Sequence, residues 1–523
     1  MLRGVFVQDD WRIKPRLTLN LGLRWDYEAP MTERYNRMNA GFCFTCVNPL
    51  QQSVNGLALN GGLMFTSAKN RLPYGKDLGD WQPRFGASYQ VNQNMVVRGG
   101  IGIIYLPTFD PPGTSGYSAG TGYVSSTDGG ITPAASLSSP YPSGIVKPSG
   151  SSLGLLTQLG QGLSPEDRGH VPPRLYFGAF GIQYQLPENT VLDVSYVANA
   201  SRRMQVSKGI NALPAQYFSL GSSVLNSKVA NPMAGLIPSN SNLNGATITY
   251  QNLLVPYPEF TGITLYNRPL GKTSYNALQV KINKRFSHGF SAQADYTWAK
   301  EMVQTSYLNA QDSWDNINRH ESSTPNRILN IFGSYTFPTL FQQNHMSRLL
   351  LGNWTVNAIV RTNNGSLINN PGGAAILIGT PQTAPHMRTM NHQFNTCYLD
   401  IAGTIHPGGT DPATQTGACD YGDPAPAWQQ LPGSFTLATA GPFMHNIRTW
   451  VHPVADASLF KKFVVHEKFN CELRGEFFNL LNQVNWGGPN TSLTATGKAG
   501  FGVLAANQAN DPRIGQVTAR INF

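Results

Sequence analysis

The chain has 523 residues, of which 13% are charged and 11% aromatic, with 53 glycines and 36 prolines. No run approaches the roughly 18 consecutive apolar residues of a membrane helix, and the apolar residues fall in short alternating runs, which excludes a helical membrane protein and points to a large all-β chain with long loops. The formal charge of +10 is spread mostly over singly placed Lys and Arg, with the densest pairs around Arg202 and Lys461, so nucleic acid is not an expected partner; lipid head groups or an anionic solute account for the balance as well.

In chain order, the first element is a hairpin. Leu17, Leu19, Leu21, Leu23, Trp25 and Tyr27 alternate with Thr18, Asn20, Gly22, Arg24 and Asp26, and a period of two is a strand with one apolar and one polar face. Val5, Val7 and Trp11 lie in the run before it, and Lys14-Pro15 breaks the chain between them. The second strand, at strong tilt, is long enough to cross a bilayer, and Trp25 and Tyr27 end it where an interfacial aromatic belt lies. A polar connection of about 50 residues follows, far longer than ordinary loops. Phe85 to Val91 and Val97 to Tyr105 then form a second hairpin around a short NQN turn. A Ser/Gly/Pro-rich connection leads to Phe180 to Tyr184, the turn PENT, and Leu192 to Ala198. The next loop is read as Asn199 to Thr273, before the pair Leu278 to Ile282 and Ala292 to Trp298. Leu329 to Phe337 and Trp354 to Val360 follow, then the longest loop, from Asn363 to Asn446. Leu459, Phe469 to Phe477 and Val517 to Phe523 complete the series.

Long and short connections alternate along the whole chain, the pattern of an antiparallel transmembrane barrel with long extracellular loops and short periplasmic turns. The spacing predicts about thirteen strands, an odd number that does not close as a bacterial single-chain barrel. The expectation is therefore an incomplete barrel, with further strands and a targeting segment missing, since MLRGVFV runs straight into Asp9, Asp10 and Arg12. Such a chain is not expected to close stably alone. A soluble sandwich or solenoid would alternate in the same way within any one hairpin.

On the polar faces the sequence places Arg24, Asp26, Arg84, Arg98, Asp193, Lys281, Asp295, Glu472, Arg474 and Glu476. These are read as lumen lining, because each charge would cost a few kcal/mol facing lipid. Trp25, Trp298 and Trp354 read as girdle anchors, with sugar stacking by Tyr257, Tyr266 and Trp314 as the other reading of the aromatics. Cys43 with Cys46, and Cys397 with Cys419, are candidate disulfides in exposed loops. A lone C-x-x-C has no histidine at zinc spacing, and Asp312 to Asp315 with His320-Glu321 does not match a calcium loop, so no metal and no cofactor are expected. G-x-S-x-G, H-E-x-x-H and P-loop motifs are absent, and GGIGII at Gly99 sits in a strand pattern. The chain does not read as an enzyme.

The opening FVQDDWRIKPRLTLNLGLRWDYEAP, LPAQYFSLGSSVLNSKVANPMAG, YNALQVKINKRFSHGFSAQADYTWAK and GEFFNLLNQVNW resemble the barrel of Oar-like TonB-dependent outer-membrane receptors. The resemblance covers essentially the whole chain. It implies a barrel of about 22 strands with a plugged lumen, residence in the outer membrane of a Gram-negative-type bacterium, and contact with outer-membrane lipid. It also implies Phe523 as the terminal signal read by the barrel assembly machinery. The family's signal peptide, regulatory-like β domain, TonB-contacting segment and plug are not in this sequence, so residues 1–523 are expected to be the C-terminal part of the barrel. Two functions follow as alternatives. One is energised uptake of a large solute (siderophore, oligosaccharide or peptide) with TonB engaged through the missing segment. The other is a surface role without transport, in adhesion, export or assembly, or an inactive fragment.

Overall fold

The computed structural model describes residues 1–108, 111, 113–238, 241–338, 346, 350–371, 375–408, 417–420, 422–431, 433, 435–466, 469–493 and 500–522. Thirteen strands join in chain order into one antiparallel sheet. They are β1 (Leu2–Lys14), β2 (Leu17–Glu28), β3 (Trp81–Gln90), β4 (Met95–Tyr105), β5 (Arg174–Leu186), β6 (Thr190–Gly209), β7 (Gly262–Ser287), β8 (Phe290–Ser306), β9 (Arg327–Thr336), β10 (Thr355–Asn363), β11 (Val454–His466), β12 (Phe469–Phe478) and β13 (Ile514–Asn522). The predicted strand number and order therefore hold. Among the described residues β1 and β13 each pair on one side only, so the sheet is open.

Short turns and long loops alternate as the sequence predicts. Loop 1 (29–80), loop 2 (106–173), loop 3 (210–261), loop 4 (307–326), loop 5 (364–453) and loop 6 (479–513) all leave one end of the sheet. Loop 3 is shorter than the reading from Asn199 to Thr273. β6 continues to Gly209 and β7 begins at Gly262, with register shifts between Leu265 and Thr273. The period of two is lost there because irregular pairing replaces strict alternation. Loop 5 likewise ends later than Asn446, at the start of β11.

Cross-strand partners share a face, so the ladder fixes which side each residue occupies. Leu19, Ala87 and Gly99 lie on one side, as do Phe180, Tyr196, Leu278 and Trp298. Many large side chains on that side are exposed, including Val7, Phe85, Ile101, Phe180, Trp298 and Val517. A continuous exposed apolar face across a whole sheet has no soluble solution, and lipid is the medium that fits it. Trp25 stacks with Tyr27 and packs tilted against Trp81 at the long-loop end, with ring centroids 6.3 Å apart in both pairs. Tyr335 and Phe337 meet edge to face at 5.0 Å at the other end, where the Trp354 indole donates to Leu350 O at 2.9 Å. Trp298 sits inside β8 rather than at its end, level with Arg327 at the start of β9. On this geometry Leu278→Arg should cost about 2–4 kcal/mol of bilayer-inserted stability while Gln279→Arg, its neighbour on the opposite face, costs under ~1. Urea unfolding from lipid vesicles measures both, and equal losses would reject the face assignment.

The large buried cores of the protein lie in the loops. Loops 1, 2 and 3 enclose Phe42, Leu59, Leu63, Leu159, Met233 and Phe260, joined by Ile263 of β7. Phe42 packs edge to face on Tyr257 at 5.0 Å, and Asn48 ties two loops by donating to Gly61 O and Leu155 O. Gly62 (φ +153°) is needed where loop 1 crosses loop 2, since a Cβ would lie 2.7 Å from Leu155 Cα. Loops 5 and 6 enclose a second core around Phe394, Trp428, Met444, Leu493 and Phe501. Loop 4 connects the two: Asn309 exchanges hydrogen bonds with Ala438 of loop 5, Gln311 donates to Leu213 O of loop 3 at 3.1 Å, and Glu321 pairs with Arg448 at 2.5 Å. The long loops thus form a packed cap over one end of the sheet.

Candidate functional site

The register gathers the charged residues of the strands on the side opposite the apolar face. Arg24 lies opposite Gln82, Arg84 opposite Gly102, and Arg98 opposite Gly181. Asp193 follows opposite Lys281, which is opposite Asp295. Beyond Asn330 and Arg361 the same face continues to Glu472, Arg474 and Glu476 on β12. All ten charged residues named from the sequence share this face. Most are paired within it. Arg24 meets Asp26 at 2.9 Å, Arg98 meets Asp193 at 2.5 Å across the side-chain-free Gly181, and Arg474 meets Glu472 at 2.7 Å and Glu476 at 3.5 Å. Lys281 and Asp295 stand 3.7 Å apart. Arg84 lies between Gly22 and Gly102 and has no carboxylate partner among the described residues, which leaves a cation available on this face.

Above this face, where loops 1 and 2 meet the strand ends, lies a group of titratable residues that periodicity did not reveal. His170 Nδ1 is 2.7 Å from Glu166 Oε1, and its Nε2 is 2.9 Å from Thr108 Oγ1. Tyr74 stacks on its ring at 4.5 Å. Glu28 accepts from Thr108 N at 3.1 Å, and Arg203 and Arg268 pair with Asp77 and Asp167 at 3.0 and 3.2 Å. The Arg268 guanidinium also covers Trp314 at 4.1 Å, so that tryptophan serves a cation, and Tyr257 is buried in the loop core rather than presented for stacking. One signal was available: PEDRGH from Pro165 to His170 is the densest charged segment of a loop with few other charges.

Asp80 lies in this rim, 1% exposed, with Oδ1 unpartnered among the described residues. Burial first, then the Asp77 charge, pushes its carboxyl up to about 7. A raised carboxyl pKa means that the folded rim keeps a proton the unfolded chain releases, so stability falls as pH rises from about 4 to 7. Asp80→Asn should remove that slope, worth on the order of 2 kcal/mol after allowance for solvent at the rim. Protease susceptibility of loop 1 at pH 5 and pH 8 reads it; an unchanged slope in the variant would assign the effect elsewhere.

Loop 1 holds the Cys43–Cys46 disulfide and loop 5 the Cys397–Cys419 disulfide, with Cα separations of 5.7 and 5.5 Å; Cys471 on β12 is a free thiol. No group of three or more His, Cys, Asp or Glu side chains with metal-binding geometry occurs among the described residues. Asp312 instead accepts from Asn309 N at 2.8 Å within its own turn. Phe523, the expected assembly signal, lies outside the described residues.

One antiparallel sheet, apolar on one side and charge-lined on the other, with every long loop at one end, defines an outer-membrane β-barrel protein. The chain belongs to the outer membrane beta barrel domain family, whose model matches residues 2–516. Its location is the cell outer membrane. No curated protein matches the chain. Among solved structures it is similar to FpvA of P. aeruginosa bound to a heterologous pyoverdine, at 11% identity and TM-score 0.38, over 100% of this chain and 38% of that one. It is also similar to the ferric-catecholate import receptor Fiu of E. coli K12, at 13% identity and TM-score 0.36, over 100% of this chain and 44% of that one. The outer-membrane transporter YddB of E. coli gives 10% identity and TM-score 0.42, over 100% of this chain and 45% of that one. The chain spans less than half the length of each.

Proposed function

We propose that this chain supplies the C-terminal barrel strands of an Oar-like TonB-dependent receptor that takes up a large solute. The observation that carries the reading is the single charge-lined face beneath a cap of packed loops. With the apolar face toward lipid, that face lines the lumen, where water hydrates it and paired charges dock a plug contributed by residues outside 1–523. Arg84, without a carboxylate partner among the described residues, is the first contact offered to an acidic group of plug or solute. The cap presents the solute-catching surface, and TonB acts from the periplasm through a segment not in this sequence. Phe523 serves as the signal read by the barrel assembly machinery.

The test uses the intact gene in cells with and without TonB. Labelled ferric siderophore, oligosaccharide and peptide are offered in turn. Accumulation of one of them that disappears with TonB supports the proposal. Accumulation independent of TonB, or of none, would reject it in favour of a surface role in adhesion, export or assembly.

A further inference from the structure

On the outward face of β5 to β8 the unpaired charge gathers at the cap-side ends, whereas Lys284 at the turn end of β7 is paired with Glu188. Arg174 and Arg202 are cross-strand partners, and Lys272 follows on β7, opposite Gln304 of β8. Arg319 lies on the short strand Asn318–Glu321 that pairs with the upper part of β8. It lines one concavity of about 200 Å³ together with Arg202 and Lys272. The neighbouring cations Arg203 and Arg448 are neutralised by Asp77 and Glu321. By contrast Arg174, Arg202, Lys272 and Arg319 have no carboxylate within ion-pair distance among the described residues, and Arg174 Nε is buried without a partner.

Directly below, and sharing Ser274 with that concavity, is a groove of about 570 Å³ on the same outward face. Its floor is Gly178, Ala198 and Ala200, and its walls include Ile101 and Tyr176. Small residues flanked by large ones form a groove that crosses β3 to β7 on the membrane side of the cations. A cationic row at head-group level over an apolar channel at acyl-chain level matches one kind of molecule in its two halves.

We infer that the outward face of β4–β8 is a binding site for a phosphorylated, multiply acylated lipid of the outer leaflet. Guanidinium forks of Arg202 and Arg319, with the Lys272 ammonium, hold the phosphate, and one acyl chain lies in the Gly178–Ala200 groove. The site rests on the outward assignment of the apolar face and does not depend on transport.

The protein is purified from its own outer membrane in mild detergent and exchanged into nanodiscs. These contain phosphatidylcholine with a trace of the phosphorylated lipid, or of the same lipid dephosphorylated, and retained lipid is counted by native mass spectrometry. The phosphorylated form should be retained at least tenfold over the dephosphorylated one. Combined Arg202→Glu, Lys272→Glu and Arg319→Glu should abolish that preference, Ala200→Trp should reduce retention by filling the groove, and Arg3→Glu, a charge reversal on β1, should leave it unchanged. Wild-type protein that does not distinguish the two lipids overturns the site, whether or not the triple variant folds. Spin labels at Leu278 and Gln279, in a Cys471→Ser background, separate this from failure of the face assignment. Oxygen should reach the first and chelated nickel the second; a reversed pattern would fault the face assignment itself.

Discussion

Glu259→Gln is expected to leave the cap unchanged at pH 5 and to stabilise it by about 3–5 kcal/mol at pH 9. Glu259 lies in loop 3, fully buried beside the first loop core, and neither carboxylate oxygen has a partner among the described residues. Burial pushes its carboxyl up to about 8. The folded cap therefore keeps this proton while the unfolded loop loses it near its ordinary value of 4.5. Stability falls as pH rises between the two values, and above about 8 the full cost of an unpaired buried charge is present. Glutamine has nearly the same shape and never ionises, so the variant differs only where the acid is charged. Pulse proteolysis of loop 3 across urea at the two pH values measures the difference. Parallel curves at pH 9 would mean that the carboxylate finds water or a cation in the folded cap.

The second large effect is expected at Trp428. It is completely buried in the loop 5 and loop 6 core, and its indole donates to Asn395 O at 2.8 Å. Trp428→Ala should cost roughly 3–5 kcal/mol through the cavity and the orphaned carbonyl. The damage should stay local. The short strands Ala375–Leu377, Tyr398–Leu399 and Trp428–Gln430, which pair with one another, should lose hydrogen-exchange protection while β7 and β8 keep theirs. Equal loss in β7 and β8 would show that cap and sheet unfold as one unit.

The strands were legible because a sheet between two unlike media must alternate. Leu17 to Tyr27 and Leu278 to Ile282 announce themselves, and the ten charges follow from the same parity. The upper parts of β6 and β7 were not legible, since bulges from Leu265 to Thr273 break the period where the strands rise toward the cap. The loop cores were invisible for a different reason. Phe42, Met233, Phe260, Trp428 and Phe501 are single apolar residues in Gly- and Pro-rich sequence, brought together only by contacts distant along the chain. Glu259 and Asp80 looked like ordinary loop carboxylates because burial, rather than residue type, gives them their chemistry.

The composition of the first loop core also dictates an order of events at the membrane. Phe42, Leu159, Met233 and Ile263 belong to three loops and a strand, so that core has no interior until β2 through β7 stand side by side. Each loop must therefore pass the bilayer as open chain and condense only on the far side. Once condensed, the cap is too bulky to slip back, and it acts as a ratchet that makes strand insertion one-way.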